Sequence, residues 1–565
     1  MIRTILALFA VLFSLSILPA SAQKPDYSML DGAPYNPKTE PDIDMFMGNW
    51  RESAPHSIWG TLIERDILKK NDGDLMRPKA RSAALQYINR LSYGSLSARN
   101  VTTPAVLKGE QVIFYIDGGK GEITAGGKTA RIYNGVGVLM PPGIEFTLKN
   151  SGDDPLTMYL MVEPVPAGFK PKTEMVVKDE NILPFGMANA HWSYIPKTFF
   201  SKNDGLATIF GMAPVWFDGM TMGQPHSHCP GMEEVWFSLE GDPTILLGKQ
   251  LRPFPAGTAY KVPPDYKTPH ATINVKDRPA KAFWFLVRTD ETEPPHPSYA
   301  MLDGEPFNPD RDADINLYMN NWRNSMPVST HGSLVERDVL SKGDPMKPAR
   351  KGAALKYVNR FTYATLYAYY ATTPIILKGE QEVFYILSGQ GKITAGKKTA
   401  DLYAGICVLM PAGLEFTMQN TGPEPLTMYL INEPIPAGFR PNKDMLVVDE
   451  NTTPITYHNA HWVGCVKSFF ETKDGLGSME SILTCSFSPN TFFHPHSHTN
   501  TTEEVWVALN PDTHLLLGKQ ICLQEPGTAF LVPPDNKTPH ANFNLSDKTV
   551  KLFYFARYQD HEVRK

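Results

Sequence analysis

The sequence predicts an all-β fold of antiparallel sandwiches or barrels, and two observations support this prediction. Short segments rich in β-branched and aromatic residues recur along the whole chain, for example residues 112–116 (VIFYI), 156–164 (LTMYLMVEP) and 282–288 (AFWFLVR). Turn-forming residues, mainly Gly, Pro, Asn and Asp, lie between these segments. Many short strands with such turns between them are typical of sandwiches and barrels.

The chain is a duplication of one long unit. Residues 27–37 (YSMLDGAPYNP) return as residues 299–309 (YAMLDGEPFNP), and the tetrapeptide NAHW at residues 189–192 returns at residues 459–462. The repeats run from about residue 25 to 287 and from 298 to 558, and an acidic, Pro-rich linker separates them. A period this long indicates duplicated domains rather than a solenoid.

Each repeat opens with a segment that predicts a short amphipathic helix. These segments are residues 42–53 (DIDMFMGNWRES) and 314–325 (DINLYMNNWRNS). The rest of each repeat has strand character, so helices are expected only at the two N-terminal ends.

Composition and charge argue against two classes of partner. The 565 residues are 42% hydrophobic and 20% charged, as in ordinary globular proteins. The formal net charge is −5 and there is no block of basic residues, which argues against nucleic-acid binding. No stretch after the first 22 residues is apolar enough to span a membrane.

The first 22 residues read as a secretory signal peptide. Arg3 supplies a positive charge, residues 5–18 form an apolar stretch, and Ala20-Ser21-Ala22 is a small-residue cleavage site. We therefore expect the mature protein to be exported, either secreted or periplasmic, after cleavage near Ala22. Five scattered cysteines are too few to indicate a disulfide framework.

Two sets of histidines stand at the same positions of the two repeats. His226 and His228 are followed by His270, and His496 and His498 are followed by His540; the offset is 270 in each case (496 − 226, 498 − 228 and 540 − 270). Histidines two apart on a strand point to the same face. A carboxylate on the next strand and the third histidine would complete a cage for a divalent metal.

These motifs resemble those of the cupin superfamily. The first motif has a Gly, then His-x-His, a Glu and a further Gly; the second has a Gly, a Pro, a His and an Asn. The matching residues are Gly223, His226, His228, Glu234, Gly241, Gly257, Pro263, His270 and Asn274, and in the second repeat His496, His498, Glu504, Gly527, Pro533, His540 and Asn544. The resemblance implies antiparallel jelly-roll barrels (double-stranded β-helices), with these three histidines and one glutamate as metal ligands inside the barrel.

The identity of the carboxylate ligand stays open. Glu233 and Glu503 are rivals of Glu234 and Glu504, and only one member of each pair can face inward because neighbours on a strand alternate. We favour Glu234 because its spacing to Gly241 is that of the family. In the second repeat Pro511 replaces this glycine, so the preference for Glu504 depends on the repeat alignment.

The earlier half of each repeat resembles a cupin that has lost its metal. In residues 140–150 (MPPGIEFTLKN) and 410–420 (MPAGLEFTMQN), Phe146 and Phe416 stand where the motif has histidine, and an aromatic ring cannot coordinate a metal. We expect these halves to serve as packing partners or to help shape a pocket. The predicted organisation is a tandem of two bicupins: signal peptide 1–22, degenerate cupin 23–185, metal-binding cupin 186–288, linker 289–297, degenerate cupin 298–455 and metal-binding cupin 456–565.

The predicted function is that of an exported metal-dependent enzyme with a small-molecule substrate. Two transition-metal ions per chain (Mn, Fe, Cu, Ni or Zn) are expected, each with positions left open for substrate or dioxygen. The resemblance favours an oxidoreductase or dioxygenase acting on a small organic acid, an enediol or a phenolic, in which Glu234 and Glu504 also carry protons. The alternatives are a non-oxidative isomerase, lyase or hydrolase of carbohydrate-type substrates, and a non-catalytic binding or storage protein.

Three further expectations concern residues around these sites and the assembly. His191 and His461 are interpreted as hydrogen-bonded core residues, with a role in a pocket as the alternative. Trp236 and Trp506 are interpreted as barrel fillers rather than as residues that stack on a substrate. The two metal sites should act independently because a whole degenerate module separates the two barrels. Association into homo-oligomers through barrel edges remains open.

Overall fold

The computed structural model describes residues 32–186, 190–289, 304–499 and 501–558. The predicted signal peptide and residues 290–297 of the predicted linker lie outside these ranges. The described residues contain only strands, turns and short 3-10 helices, and their sheets are all antiparallel. The all-β prediction is therefore confirmed. No helix within these ranges is long and apolar enough to cross a membrane.

The first repeat forms two barrels, each made of a seven-stranded sheet facing a four-stranded one. In the first barrel the larger sheet has the order β12-β9-β6-β11-β4-β3-β2 and the smaller one β5-β10-β7-β8. These strands are β2 (His56–Ile58), β3 (Leu62–Lys69), β4 (Arg90–Leu96), β5 (Ala105–Val106), β6 (Glu110–Gly118), β7 (Lys120–Ala125), β8 (Lys128–Tyr133), β9 (Val136–Met140), β10 (Glu145–Asn150), β11 (Leu156–Pro164) and β12 (Val176–Asp179).

The second barrel adds a strand from the start of the chain. Its larger sheet has the order β1-β20-β17-β22-β15-β13, with β14 paired to β15, and its smaller sheet the order β16-β21-β18-β19. These strands are β1 (Met47–Asn49), β13 (Tyr194–Pro196), β14 (Phe200–Ser201), β15 (Ile209–Phe217), β16 (Thr221–Met222), β17 (Met232–Glu240), β18 (Thr244–Leu247), β19 (Gln250–Pro253), β20 (Thr258–Lys261), β21 (His270–Asn274) and β22 (Ala280–Arg288).

The second repeat builds the third and fourth barrels in the same way. The third barrel has the sheets β24-β25-β26-β33-β28-β31-β34 and β27-β32-β29-β30, and the fourth has β23-β42-β39-β44-β37-β36-β35 and β38-β43-β40-β41. The strands are β23 (Met319–Asn321), β24 (Pro327–Thr330), β25 (Leu334–Ser341), β26 (Arg360–Leu366), β27 (Ile375–Ile376), β28 (Glu380–Ser388), β29 (Gly391–Ala395), β30 (Lys398–Leu402), β31 (Ile406–Met410), β32 (Glu415–Asn420), β33 (Leu426–Pro434), β34 (Leu446–Asp449), β35 (Tyr457–Ala460), β36 (Gly464–Glu471), β37 (Ser481–Phe487), β38 (Thr491–Phe492), β39 (Thr502–Asn510), β40 (Thr513–Leu517), β41 (Gln520–Gln524), β42 (Thr528–Leu531), β43 (His540–Asn544) and β44 (Val550–Tyr558).

The prediction of N-terminal amphipathic helices is wrong. The segment at residues 42–53 forms two single 3-10 turns, Ile43–Phe46 and Trp50–Glu52, on either side of β1. Met47 pairs with Tyr260 at the edge of the second barrel's larger sheet. The backbone N–H and C=O groups of this segment are therefore hydrogen-bonded to a neighbouring strand instead of within a helix. The second repeat does the same with Ile315–Leu317, β23 and Trp322–Asn324. The apolar residues that suggested a helix are buried by sheet packing instead. The remaining 3-10 helices are Glu180–Ile182, Lys202–Asp204 and Thr472–Asp474.

The two barrels of each repeat pack through their seven-stranded sheets. In the first repeat, Tyr159 stacks on Phe237 with ring centroids 4.5 Å apart, and Tyr115 meets Phe283 at 4.8 Å. One buried apolar cluster continues across this interface from the first barrel to the second. A matching cluster joins the third barrel to the fourth.

The second and fourth barrels also pack directly against each other. Leu246 and Leu251 of the second barrel share one buried cluster with Leu516 and Ile521 of the fourth. The expectation that a degenerate module separates the two histidine-bearing barrels is therefore wrong in space, although one intervenes along the chain. The order of contact is first, second, fourth and third barrel, because the smaller sheets of the two central barrels present apolar side chains to each other.

Candidate metal centres

Each predicted ligand set is assembled at one end of its barrel. Glu234 lies on β17, and His270 is the first residue of β21. His226 and His228 lie on the segment that connects β16 to β17. This segment is anchored beside β21, because the backbone N–H of His270 donates to the carbonyl oxygen of His226 at 2.8 Å. His496, His498, Glu504 and His540 take the same places in the fourth barrel.

The ligand atoms of each set converge. One nitrogen from each histidine and one carboxylate oxygen all lie within 4.8 Å of one another in both sets. In the second barrel, Nε2 of His228 lies 2.8 Å from Glu234 Oε2 and 3.2 Å from Nε2 of His270. The structure thus brings together all eight residues of the two predicted sets.

The fourth barrel repeats this geometry closely. His498 Nε2 and His540 Nε2 each lie 3.3 Å from a carboxylate oxygen of Glu504. Nε2 of His540 is also 3.3 Å from Nε2 of His496. All four of these side chains are buried, whereas His226 in the second barrel is partly exposed.

Hydrogen bonds outside each set orient the ligands. His226 Nδ1 lies 2.9 Å from the carbonyl oxygen of Gln224, which leaves Nε2 directed at the cluster. Trp236 Nε1 donates to Glu234, and Trp506 Nε1 donates to Glu504 at 2.6 Å. Both indoles are buried, so the prediction that they fill the barrel is confirmed, and they also hold the carboxylate.

The two sets differ in one carboxylate partner that sequence reasoning missed. The hydroxyl group of Tyr554 donates to Glu504 Oε2 at 3.2 Å. Trp284 occupies the equivalent position in the first repeat, packed beside Trp236 at 6.4 Å between ring centroids. The substitution is visible in the repeat alignment, but only the fold shows that this strand faces the glutamate.

The electrostatic environment favours the ligand-competent protonation states. Burial lowers the pKa of His226 well below its usual value, and it lowers that of His270 to about 3. Burial alone would raise the pKa of Glu234, but the charges of His228 and His270 and the hydrogen bond to His228 hold it well below its usual value. Neutral imidazoles and an ionised carboxylate are the forms that bind a metal ion.

The donor set fits a divalent transition metal. Three imidazole nitrogens with one carboxylate oxygen suit Mn, Fe, Ni, Cu or Zn, and the four protein ligands leave coordination positions free for a substrate. Burial in a barrel lined by Trp236 and Tyr260 would keep bulk water away from such an ion. Each cluster could therefore hold one metal ion.

Glu233 and its neighbour Glu234 have different roles. Its carboxylate accepts hydrogen bonds from three consecutive backbone N–H groups of the first barrel, those of Gln86, Tyr87 and Ile88. Lys261 Nζ lies 3.6 Å away. Glu503 accepts equivalent bonds from residues 356–358 of the third barrel. The rival carboxylates therefore join the barrels and lie outside the clusters.

His191 is not the core residue that was expected. It is exposed, with a positive φ of 47°, and its ring lies flat on that of His226 with centroids 4.5 Å apart. Its Nδ1 is 2.9 Å from the side-chain oxygen of Gln224. His461, which is half-buried, stacks on His496 in the same way at 4.6 Å. Both histidines thus lie beside a predicted ligand.

A third group of histidines lies beside the cluster of the fourth barrel. It consists of His461, His494 and His496, each with a ring nitrogen within 4.8 Å of the others. However, the rings of His461 and His494 are tilted by only 5° and 7° from that of His496. The lone pairs of imidazole lie in the ring plane, so three nearly parallel stacked rings cannot all point at one ion. We interpret this group as support for His496 rather than as a further metal site.

Among the residues that the structure describes, no cluster of three histidines and a glutamate is found in the first or third barrel. Phe146 and Phe416 are buried at the position of the third histidine. The third barrel nevertheless contains a polar cluster that sequence reasoning missed: His331 Nε2 lies 3.1 Å from Glu382, which accepts a bond from Asn432 at 2.8 Å. The first repeat has the apolar Trp59, Val112 and Val162 at these three positions.

One family model matches part of the chain. Residues 376–432, within the third barrel, match the Cupin domain family. No curated protein matches the chain. AerE from Microcystis aeruginosa is 14% identical, over 43% of this chain and 100% of its own, with a TM-score of 0.33.

Two further solved structures share partial similarity. An oxalate decarboxylase from Bacillus subtilis, described with Mn(II) centres, is 10% identical over 44% of this chain and 81% of its own, with a TM-score of 0.34. Vicilin from hazelnut, Corylus avellana, is 10% identical over 44% and 87%, with a TM-score of 0.35. Scores this low say nothing about activity. The family match identifies a cupin domain at residues 376–432 of the third barrel, and the other three barrels likewise pair a seven-stranded sheet with a four-stranded one.

Proposed function

We propose that this chain is an exported metal-dependent enzyme with two similar active sites, one in the second barrel and one in the fourth. The observation that carries the proposal is the convergence of three imidazoles and one carboxylate within 4.8 Å in each of these barrels. A purely structural zinc site is more often closed by four ligands that include cysteine. Sites of this composition leave room for a substrate.

The chemistry that we assign is oxidoreductase chemistry on a small organic acid, an enediol or a phenolic. A bound metal would supply Lewis acidity and, if redox-active, a path for electrons. His226, His228 and His270 would hold it, together with Glu234. All of these side chains come from one barrel, so each set of four ligand residues lies within one repeat.

The glutamates have a second assigned role as proton carriers. Glu234 accepts a hydrogen bond from the Trp236 indole and lies 2.8 Å from His228 Nε2. A carboxylate held between a donor and the cluster can take a proton from a substrate hydroxyl or carboxyl group and return it. Glu504 has the same contacts through Trp506 and His498 and a third from Tyr554.

A histidine stacks against one ligand residue of each cluster. His191 is exposed and covers one face of the His226 ring, and we assign it a place on the approach to the cluster. Its free ring edge can hydrogen-bond an anionic or hydroxylated substrate. This feature favours small polar substrates over apolar ones.

Elemental analysis of the purified mature protein tests the proposal. We expect about two equivalents of Mn, Fe, Cu or Ni per chain, and oxygen uptake or product formation with a panel of organic acids, enediols and phenolics. The matched control is His228→Ala with His498→Ala, which should lose both metal and turnover. Two equivalents of Zn would favour an isomerase, lyase or hydrolase. Failure to bind any metal after reconstitution would leave a binding or storage protein.

Export is the second part of the proposal, and it depends on the signal-peptide pattern of residues 1–22. Fractionation of cells expressing the full chain, followed by N-terminal sequencing, tests it. We expect the exported protein to begin at Gln23. Retention of residues 1–22 on a protein that stays inside the cell would contradict export.

A further inference from the structure

A pocket opens between the third and fourth barrels. It has a volume of about 410 Å³, and its walls include Trp322, Arg323, Tyr363, Glu450, Asn510 and Lys551. None of the residues that line it is a residue of the histidine–glutamate clusters. Pockets of about 300–1,000 Å³ are of the size that holds small molecules.

The first repeat provides an internal comparison for this pocket. At the equivalent place, Asp117 occupies the position of Leu387, Asn134 that of Ala404 and Glu240 that of Asn510. In the first repeat the Tyr93 hydroxyl group donates to Asp117 Oδ2 at 3.1 Å, and the Asn134 side chain donates to the Asp117 carbonyl oxygen. The first repeat therefore satisfies these polar groups internally.

The second repeat lacks the groups that would do so. Tyr363, the counterpart of Tyr93, faces Leu387, and its hydroxyl group has no hydrogen-bond partner among the described residues. The Lys551 side chain is 31% exposed, whereas that of Lys281, its counterpart, is 9% exposed. The polar contacts that the first repeat makes at this place are therefore missing from the described residues of the second repeat.

The charge at this place has changed sign between the repeats. In the first repeat, two cations (Arg51 and Lys281) face three carboxylates, those of Asp117, Glu180 and Glu240. In the second repeat, Glu450 is the one carboxylate among the described residues that line the pocket with Arg323 and Lys551, and Lys551 contacts it at 2.6 Å. The formal charge is therefore −1 in the first repeat and +1 in the second (2 − 3 and 2 − 1). A positive, open pocket attracts anions.

The remaining walls favour a ligand with an apolar body. Ile386, Leu387 and Leu509 line the pocket beside the ring of Tyr363. Arg323 donates to the carbonyl oxygen of Pro526 at 2.8 Å, and its guanidinium group has further N–H donors available. Such walls can enclose a ring while a cation binds its carboxylate.

From these observations we propose that the pocket between the third and fourth barrels binds a small organic anion, a ring-bearing monocarboxylate, independently of the metal centres. The carboxylate pairs with Arg323 and Lys551, the Tyr363 hydroxyl group hydrogen-bonds the ligand, and the ring packs on Leu387 and Leu509. The first repeat has no equivalent site because Asp117 and Glu240 would repel the same anion.

Ligand-observed NMR titration of the intact protein with benzoate tests this inference. We expect saturable binding, weakened about tenfold or more in the variant Leu387→Asp with Asn510→Glu, which introduces the residues of the first repeat. Benzamide, which has the same shape without the charge, should bind about tenfold more weakly than benzoate. The matched control is Asp117→Glu in the first repeat, which should bind benzoate as the unaltered protein does.

Because benzoate could also reach a metal centre, the titration is repeated with His270→Ala combined with His540→Ala. Binding that persists there, and that weakens when Asn510→Glu is added, supports the pocket. Binding that disappears with the histidines, or that is unchanged in the Leu387→Asp, Asn510→Glu variant, overturns the proposal. Absence of benzoate binding to the unaltered protein overturns it as well. If the double variant fails to fold, Asn510→Glu alone, which lies at the pocket wall, serves in its place.

Discussion

Glu233 and Glu234 are adjacent on β17, yet their carboxylates serve different barrels. Glu233 binds three backbone N–H groups of the first barrel, whereas Glu234 lies in the histidine cluster of the second. The alternation of strand side chains explains the split: Val235 packs in the cluster between the barrels, and Trp236 packs inside the second barrel. Glu503 and Glu504 repeat the arrangement.

This division predicts opposite effects of two similar substitutions. Glu234→Gln removes a charged ligand and should therefore lower the metal content from about two to about one equivalent per chain. The free energy of unfolding should change little. Glu233→Gln should keep the metal content and lower the free energy of unfolding by about 2–4 kcal/mol, because three buried N–H groups and Lys261 lose a charged acceptor. Elemental analysis and denaturant unfolding check both. Loss of metal in the Glu233 variant at native-like stability would contradict the assignment.

A second prediction concerns the independence of the two clusters. His270→Ala should empty the cluster of the second barrel and leave that of the fourth loaded, because all four ligands of each set come from one barrel. Elemental analysis should then find about one equivalent per chain. His540→Ala is the matched substitution and should give the same total.

The same experiment tests whether the interface between the second and fourth barrels couples their two clusters. If His270→Ala reduced the metal content to zero, the shared apolar cluster around Leu251 and Ile521 would have to transmit the loss. Such a result would contradict independent sites and would indicate coupling through that interface.

A third prediction uses the one difference between the carboxylate partners. Tyr554→Phe removes the hydroxyl group that donates to Glu504 and should weaken metal binding in the fourth barrel about 10–100-fold, the usual effect of losing such a supporting bond. Trp284→Phe, the control in the second barrel, removes no bond to Glu234 and should leave affinity nearly unchanged. Competition with a chelator measures both. Equal effects of the two substitutions would count against a role for the tyrosine.

A fourth prediction concerns pH and the third barrel. Burial disfavours the charged form of His331, but hydrogen bonds to Glu336 and Glu382 outweigh it and raise the pKa of His331 from 6.5 to about 9. A group whose pKa rises on folding stabilises the native state below its unfolded pKa and loses this contribution as pH rises through its folded pKa. The contribution should therefore be complete below pH 6.5 and lost above pH 9.

The measurement is the free energy of unfolding at several pH values for the unaltered protein and for His331→Gln. Their difference should be on the order of 2 kcal/mol at pH 6 and should shrink towards pH 10. Trp59→Gln, at the equivalent position of the first barrel, is the control, and its effect should not vary over this range. A pH-independent difference for His331→Gln would show that the imidazole is neutral in the folded protein.

Much of the site was predictable because its signal is repeated. Two copies of His-x-His with a distant histidine at a constant offset predict the histidines that converge in each cluster. The strand pattern likewise predicted the sheets, since the alternation of apolar residues reflects burial of one face. The N-terminal helices were wrong because the apolar residues of segment 42–53 fit both a helix and an edge strand, and pairing of Met47 with Tyr260 decides between them.

By itself the sequence determined the duplication, the all-β class and the composition of the two histidine–glutamate sets, because each of these follows from the order and spacing of residues along the chain. Only the tertiary structure decided which glutamate faces the cluster, which barrels touch, and where a pocket opens between the third and fourth barrels. These features depend on contacts between residues far apart in the chain, such as Glu233 with Ile88 and Leu251 with Ile521. Local sequence patterns determine which side chains lie on each face of a strand, whereas long-range packing determines which residues those side chains contact.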